Sequence, residues 1–300
     1  MAEDIEVPFH RFQPEYCVGQ YSLNDALAFA LASVVAYLPP RRARQRFSRW
    51  GFERCEFIEI ARGRDIDTQG YLARNDRHII ACFRGSEQKY ADWATNLQFV
   101  KDPAPLAGSV HEGFQDAFQA AAYEVGYRIA QLRDRQQSVW ITGHSLGGAM
   151  AVMLAATMLE SSLTTRVPVD GLYTFGAPRV GNKKFARELN RQFEGKSYYR
   201  VINRDDLVPH LPPELFFEHA GNRVLYYPDE SKAADHPQRY GNRYGLGRKS
   251  DEPWRRFKQS MWGWIGRSFS RGKLKIAAPH MLATSEGYLR QILAELDRAV

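Results

Sequence analysis

The segment Gly143-His144-Ser145-Leu146-Gly147 constrains this chain more than any other feature. Val139, Trp140 and Ile141, three β-formers, run into it, and Ala149, Val152, Met153 and Ala156 follow at helical spacing. A serine on so sharp a strand-to-helix turn sits in a strained backbone conformation. Glycines two residues to either side let strand, turn and helix approach closely. The turn exposes the hydroxyl at the positive end of the next helix. Ser145 is therefore a candidate nucleophile; the bland reading is an incidental serine in a Gly-rich turn. A hydroxyl attacks poorly without a base and an acid that orients the base, so both must be sought elsewhere in the chain.

The rest of the sequence supplies a frame for such a turn. With 300 residues, 44% of them hydrophobic, one substantial core can form. Ser22 caps a helix whose buried stripe is Leu23, Ala26, Leu27, Ala30, Leu31, Val34 and Val35, and Pro39-Pro40 ends it. Arg41 to Arg54 reads as a basic connector. Short strands are expected at Cys55–Ile60, Thr68–Arg74, His78–Phe83, Gly171–Phe175 and Tyr198–Ile202. Helices are expected from Val110 to about Arg133, over Lys183–Gln192, and from Ser285 to about Leu296. Strands alternating with helices imply an α/β fold with a mainly parallel central sheet. We expect one domain over 1–300, with a basic Gly/Arg/Trp-rich insertion at about 228–275.

Where a nucleophile stands on a strand-turn-helix elbow, the acid and then the histidine follow it in the chain. After Ser145, the stretch "YYRVINRDDLVPHLPP" places Asp205 and Asp206 just past a strand, before prolines that stiffen the loop. Either aspartate can orient a base, and solvated loop acids are the alternative. His210 is locked among prolines. His219, His236 and His280 remain, and His280, in a loop just before the last helix, is placed best.

Here the chain resembles the fungal-type, or class 3, lipases of the α/β-hydrolase superfamily. The resemblance rests on "CFRGSEQKYADWATNLQFV" (82–100), "VHEGF" (110–114), "ITGHSLGGAMA" (141–151), "TFGAPRVGN" (174–182) and "RDDLVPHLPP" (204–213), in that order. It implies Ser145 as nucleophile, Asp206 as acid and His280 as base. It also implies an oxyanion hole from Ser86 and the backbone N–H of Leu146. Two such donors stabilise the developing negative charge of acyl transfer. The implied reaction is hydrolysis of lipid esters through an acyl-enzyme, with no metal or organic cofactor. A short-chain or feruloyl-type esterase and an acyltransferase share that chemistry; an inactive lipid-binding protein is the non-enzyme reading.

Tyr90, Trp93, Ala94 and Leu97 fall at i, i+3, i+4 and i+7, the pattern of a short amphipathic helix. The resemblance makes Tyr90, Trp93 and Leu97 a lid over the nucleophile; a fixed surface helix is the alternative. Twelve Lys/Arg against five Asp/Glu between Pro228 and Lys275 equal the whole chain's +7 excess. In "PWRRFKQSMWGWIGRSF" aromatic and basic residues occupy opposite helical arcs, which suits peripheral contact with an anionic membrane surface or packing on the body. No nucleic acid is expected, because no recognised binding module accompanies the charge. The apolar run at 26–36 follows Glu3, Asp4 and Glu6 rather than basic residues, so it is not read as a secretory segment. A cytoplasmic address is expected on that ground, with signal-independent secretion left open. Cys17, Cys55 and Cys82 have no disulfide or metal spacing and are expected as free thiols.

Overall fold

The strands on either side of the Ser145 turn's entry, His78–Phe83 and Ser138–His144, pair in parallel and form the middle of a seven-stranded sheet. The computed structural model describes residues 6–62, 66–85, 101–160, 167–203, 206, 208–226, 282–283 and 287–299. The strands are β1 (Arg54–Arg62), β2 (Ile66–Arg74), β3 (His78–Phe83), β4 (Lys101–Pro103), β5 (Ser109–His111), β6 (Ser138–His144), β7 (Gly171–Phe175), β8 (Ser197–Asn203) and β9 (Asn222–Tyr226). The helices are α1 (Leu23–Val35), α2 (Pro40–Arg49), α3 (Glu112–Leu132), α4 (Leu146–Glu160), α5 (Lys183–Gln192) and α6 (Tyr288–Ala299). Sheet order is β1-β2-β3-β6-β7-β8-β9. Within this sheet the first three strands are antiparallel and β3, β6, β7, β8 and β9 pair in parallel, while β4 and β5 form a separate antiparallel pair. The expected α/β architecture with a mainly parallel sheet is the one observed.

Alternation along the central strands explains why both faces are covered. Ile79, Ala81 and Phe83 of β3 point to one side with Val139, Ile141 and Leu172, and meet α3, α4 and α5 there. Ile80, Cys82, Trp140 and Tyr173 point to the other side and meet α1, α2 and α6. A sheet with helices on both faces needs apolar residues at nearly every strand position, and "HIIACF" has them.

Local signals set the helix ends. Ser22 Oγ accepts the Asp25 N–H at 3.2 Å and starts α1. Asn182 caps α5 through the Phe185 N–H at 3.0 Å. The expected connector after Pro39 is instead helix α2. Pro40 occupies its first turn, where a missing N–H costs nothing, and Ala43 and Phe47, four apart, bury its one apolar edge. Two apolar residues among arginines are a weak periodic signal, which hides this helix in the sequence. The three cysteines are free. Among the described residues no helix is long and apolar enough to cross a membrane, and no group of side chains could hold a metal ion.

Candidate active site

Ser145 stands between the last residue of β6 and the first of α4, with φ at 58° and 4% exposure. A positive φ is uncommon for a residue with a Cβ and persists only when its surroundings hold it. Three contacts do so. The Ser145 N–H donates to the Phe175 carbonyl at 3.0 Å, at the end of β7, and the Ser145 carbonyl accepts the Gly148 N–H at 2.9 Å. The third is the close approach of backbone on either side. A Cβ on Gly143 would lie 2.2 Å from the Gly147 oxygen, and one on Gly147 would lie 2.3 Å from the Phe83 oxygen. The expected glycine pattern is thus a packing requirement.

Leu146 opens α4 directly after the serine, so its N–H is one of the helix-start donors that the helix itself leaves unpaired. The chain from β3 arrives beside it. A Cβ on Gly85 would sit 2.9 Å from Ser145 Cβ and 3.2 Å from the Leu146 nitrogen. The structure therefore brings together Ser145, Leu146 and the residue before Ser86. Ser86, Tyr90, Trp93, Leu97, Asp205, His236 and His280 lie outside the described residues.

Asp206 follows β8 and precedes a single 3-10 turn, Val208–His210. It is 1% exposed. One carboxylate oxygen accepts the Val208 N–H at 2.8 Å, and the other accepts the Tyr288 hydroxyl at 2.5 Å. The Asp206 N–H donates to the Asn203 carbonyl at 3.0 Å, which closes the turn. Burial, followed by the charge of Asp206, pushes the Tyr288 phenol well above its ordinary pKa, so it stays a donor. The Asn203 backbone acts in the opposite direction and is the smallest influence.

Tyr288 also links the acid to the elbow. Its ring centroid lies 6.1 Å from that of His144 and 6.3 Å from that of Phe175, the two residues that bracket the Ser145 backbone. Sequence reasoning missed this residue; a tyrosine opening the final helix was the available signal. It also missed Tyr37, just beyond α1. The Tyr37 hydroxyl accepts the Gly85 N–H at 3.0 Å and lies 2.9 Å from His144 Nδ1, tying the two loops to each other. His144 is held between Tyr37 and Tyr288.

His219, His210 and His111 stand in other surroundings. His219 Nε2 donates to the Pro209 carbonyl at 2.7 Å, and burial, then Arg200 and Arg179, hold its pKa well below the ordinary value. His210 is lowered too, by burial first and Arg179 second. His111 caps α3 by accepting the Gly113 N–H at 3.1 Å.

With this geometry in place, comparison with known proteins is specific. The family model described as Lipase (class 3) matches residues 80–216. A lipase of Rhizomucor miehei is 37% identical over 165 residues, covering 52% of this chain and 44% of that protein. The secreted mono- and diacylglycerol lipase 1 of Fusarium solani is 35% identical over 152 residues, covering 49% and 43%. The matches thus span less than half the length of these curated relatives. Among solved structures, a fungal lipase–inhibitor complex superposes with a TM-score of 0.53 at 30% identity, over 70% of this chain and 82% of that one. A triacylglycerol lipase whose catalytic centre is a serine-protease triad agrees to the same degree. The expected cytoplasmic address is corrected here: the Fusarium solani relative and a Malassezia restricta relative are secreted lipases. That expectation rested on a missing segment, and such an absence carries no address.

Proposed function

Because the chain belongs to the class 3 lipase family, we propose that it is a serine hydrolase that cleaves carboxylic esters of lipids through an acyl-enzyme. The observation that carries this reading is Ser145 held at φ 58° between β6 and α4, with Gly143 and Gly147 permitting the contact. A binding protein has no need of so constrained a serine.

In the proposed sequence, Ser145 Oγ attacks the ester carbonyl while His280 accepts its proton. Asp206 orients His280 and offsets the positive charge that the imidazole acquires. The Leu146 N–H, at the start of α4, and Ser86 donate to the tetrahedral oxyanion. His280 then returns the proton to the leaving alcohol. Water, deprotonated by the same histidine, releases the fatty acid. No metal or organic cofactor enters these steps. Tyr90, Trp93 and Leu97 are proposed as a lid that opens at a lipid surface. The basic segment at 228–275, an insertion in a single hydrolase domain, is proposed to meet anionic lipid at its edge.

Ser145→Ala tests the reading. It should abolish both hydrolysis of p-nitrophenyl esters and labelling by a fluorophosphonate, with the thermal midpoint unchanged. A folded Ser145→Ala protein that keeps more than a small residue of activity sinks the mechanism.

A further inference from the structure

On the face of the sheet covered by α4 and α5, Thr174 of β7 and Arg200 of β8 are register partners. Partners in register project to the same side of a sheet. Arg200 Nε and Nη1 and Thr174 Oγ1 are all closed to solvent, and none of the three has a hydrogen-bond partner among the described residues. Both side chains line one cavity, roofed by Ala177, Val180 and Phe185. Native proteins seldom leave buried donors unpaired, and two of these donors belong to a cationic side chain that is itself half-buried.

The surrounding charge aggravates the deficit. Burial is the largest cause; Tyr198 opposes it, and Arg223 and Arg179 add to it, bringing the Arg200 guanidinium down to about 9, which still leaves it charged at neutral pH. Glu218 reaches the same cavity but is exposed, and none of the ion pairs among the described residues includes Arg200. The cavity volume is about 10 Å³, room for one water-sized species. Sulfate, phosphate or a fatty-acid carboxylate is too large. A water molecule would satisfy the donors but supplies no opposing charge.

From this geometry we infer that the cavity between Arg200 and Thr174 is a binding site for one small monovalent anion of the size of chloride. The ion accepts from Arg200 Nε–H and Nη1–H and from the Thr174 hydroxyl. Its place in the fold gives it a consequence. Thr174 precedes Phe175, whose carbonyl holds the Ser145 N–H, and Arg200 lies on the strand that leads to Asp206. His219, also in the cavity wall, donates to Pro209 just beyond Asp206. Occupancy therefore ties β7, whose Phe175 carbonyl holds the Ser145 N–H, to β8, which leads to Asp206, whatever reaction they support.

Thermal unfolding of the full chain in sodium chloride and in sodium gluconate, at matched ionic strength, tests the site. An ion bound by the folded state alone raises the midpoint with a dependence set by its affinity. Chloride should raise it by several degrees with saturation, gluconate should lack the saturating component, and Arg200→Met and Thr174→Val should lose or weaken it. In a crystal grown with bromide, an anomalous peak should lie between Arg200 and Thr174. Identical curves in the two salts, a saturating rise retained in Arg200→Met, or a cavity without the peak each overturns the proposal. Should Arg200→Met fail to fold, Thr174→Val and the bromide peak decide it.

Discussion

Tyr288 donates its hydroxyl hydrogen to Asp206 at 2.5 Å, across 82 residues of sequence, while the Val208 N–H holds the other carboxylate oxygen at 2.8 Å. The two donors fix the plane of a carboxylate that is 1% exposed. A buried carboxylate with one fixed oxygen could rotate; with both fixed it presents one edge. Tyr288 is thereby a positioning residue for the proposed acid.

Tyr288→Phe keeps the ring and removes that donor. A hydrogen bond to a charged group is worth about 1.5–3 kcal/mol, so kcat should fall roughly ten- to a hundredfold with KM little changed. Steady-state kinetics on a soluble ester checks this. An unaltered kcat in a folded variant would show that the Val208 N–H suffices.

Replacing the acid itself should cost far more. Asp206→Asn is expected to lower kcat on the order of ten-thousandfold, by analogy with other triads, whereas Asp205→Asn should be mild. His280→Ala should be inactive and His236→Ala active. Because the base must be neutral to accept a proton, kcat/KM should rise with pH through about 6.5, the ordinary histidine value. The opposite ranking of either pair would reassign that role.

Stability should fall as the medium is acidified below about pH 6.5. Burial lowers His78 to about 4 and lowers His210 and His219 as well. The folded chain keeps these rings neutral while the unfolded chain protonates them near 6.5. The unfolded state then binds more protons, so the stabilisation present above 6.5 is lost as pH drops toward the folded values. Urea midpoints at pH 7 and pH 5 measure the effect. Equal midpoints would mean that the three histidines charge as freely folded as unfolded.

The proposed lid predicts a break in the substrate dependence. Burying a large apolar side chain is worth about 1.5–3 kcal/mol, so Tyr90, Trp93 and Leu97 together can make the open state rare in water and dominant at an interface. Activity on a long-chain glyceride should jump as the substrate passes its solubility limit. Trp93→Ser should blunt the jump and leave short soluble esters cleavable. Smooth saturation in both proteins would point to a fixed helix.

By itself, the sequence determined whatever is encoded within a few residues of chain. The Gly143–Gly147 elbow, the caps at Ser22 and Asn182, and the apolar runs of β3 and β6 are legible because spacing alone produces them. Even Asp206 was within reach, as one of two aspartates in a proline-stiffened turn. α2 escaped because its apolar edge is two residues wide. Tertiary structure decided the pairings between distant segments: Tyr288 with Asp206, Tyr37 with His144 and Gly85, Arg200 beside Thr174. A hydrogen bond needs its donor and acceptor about 3 Å apart and aligned, and no local propensity specifies that for residues far apart in the chain. Only the stacking of α1, α6 and the helices α4 and α5 against one twisted sheet brings those atoms into range.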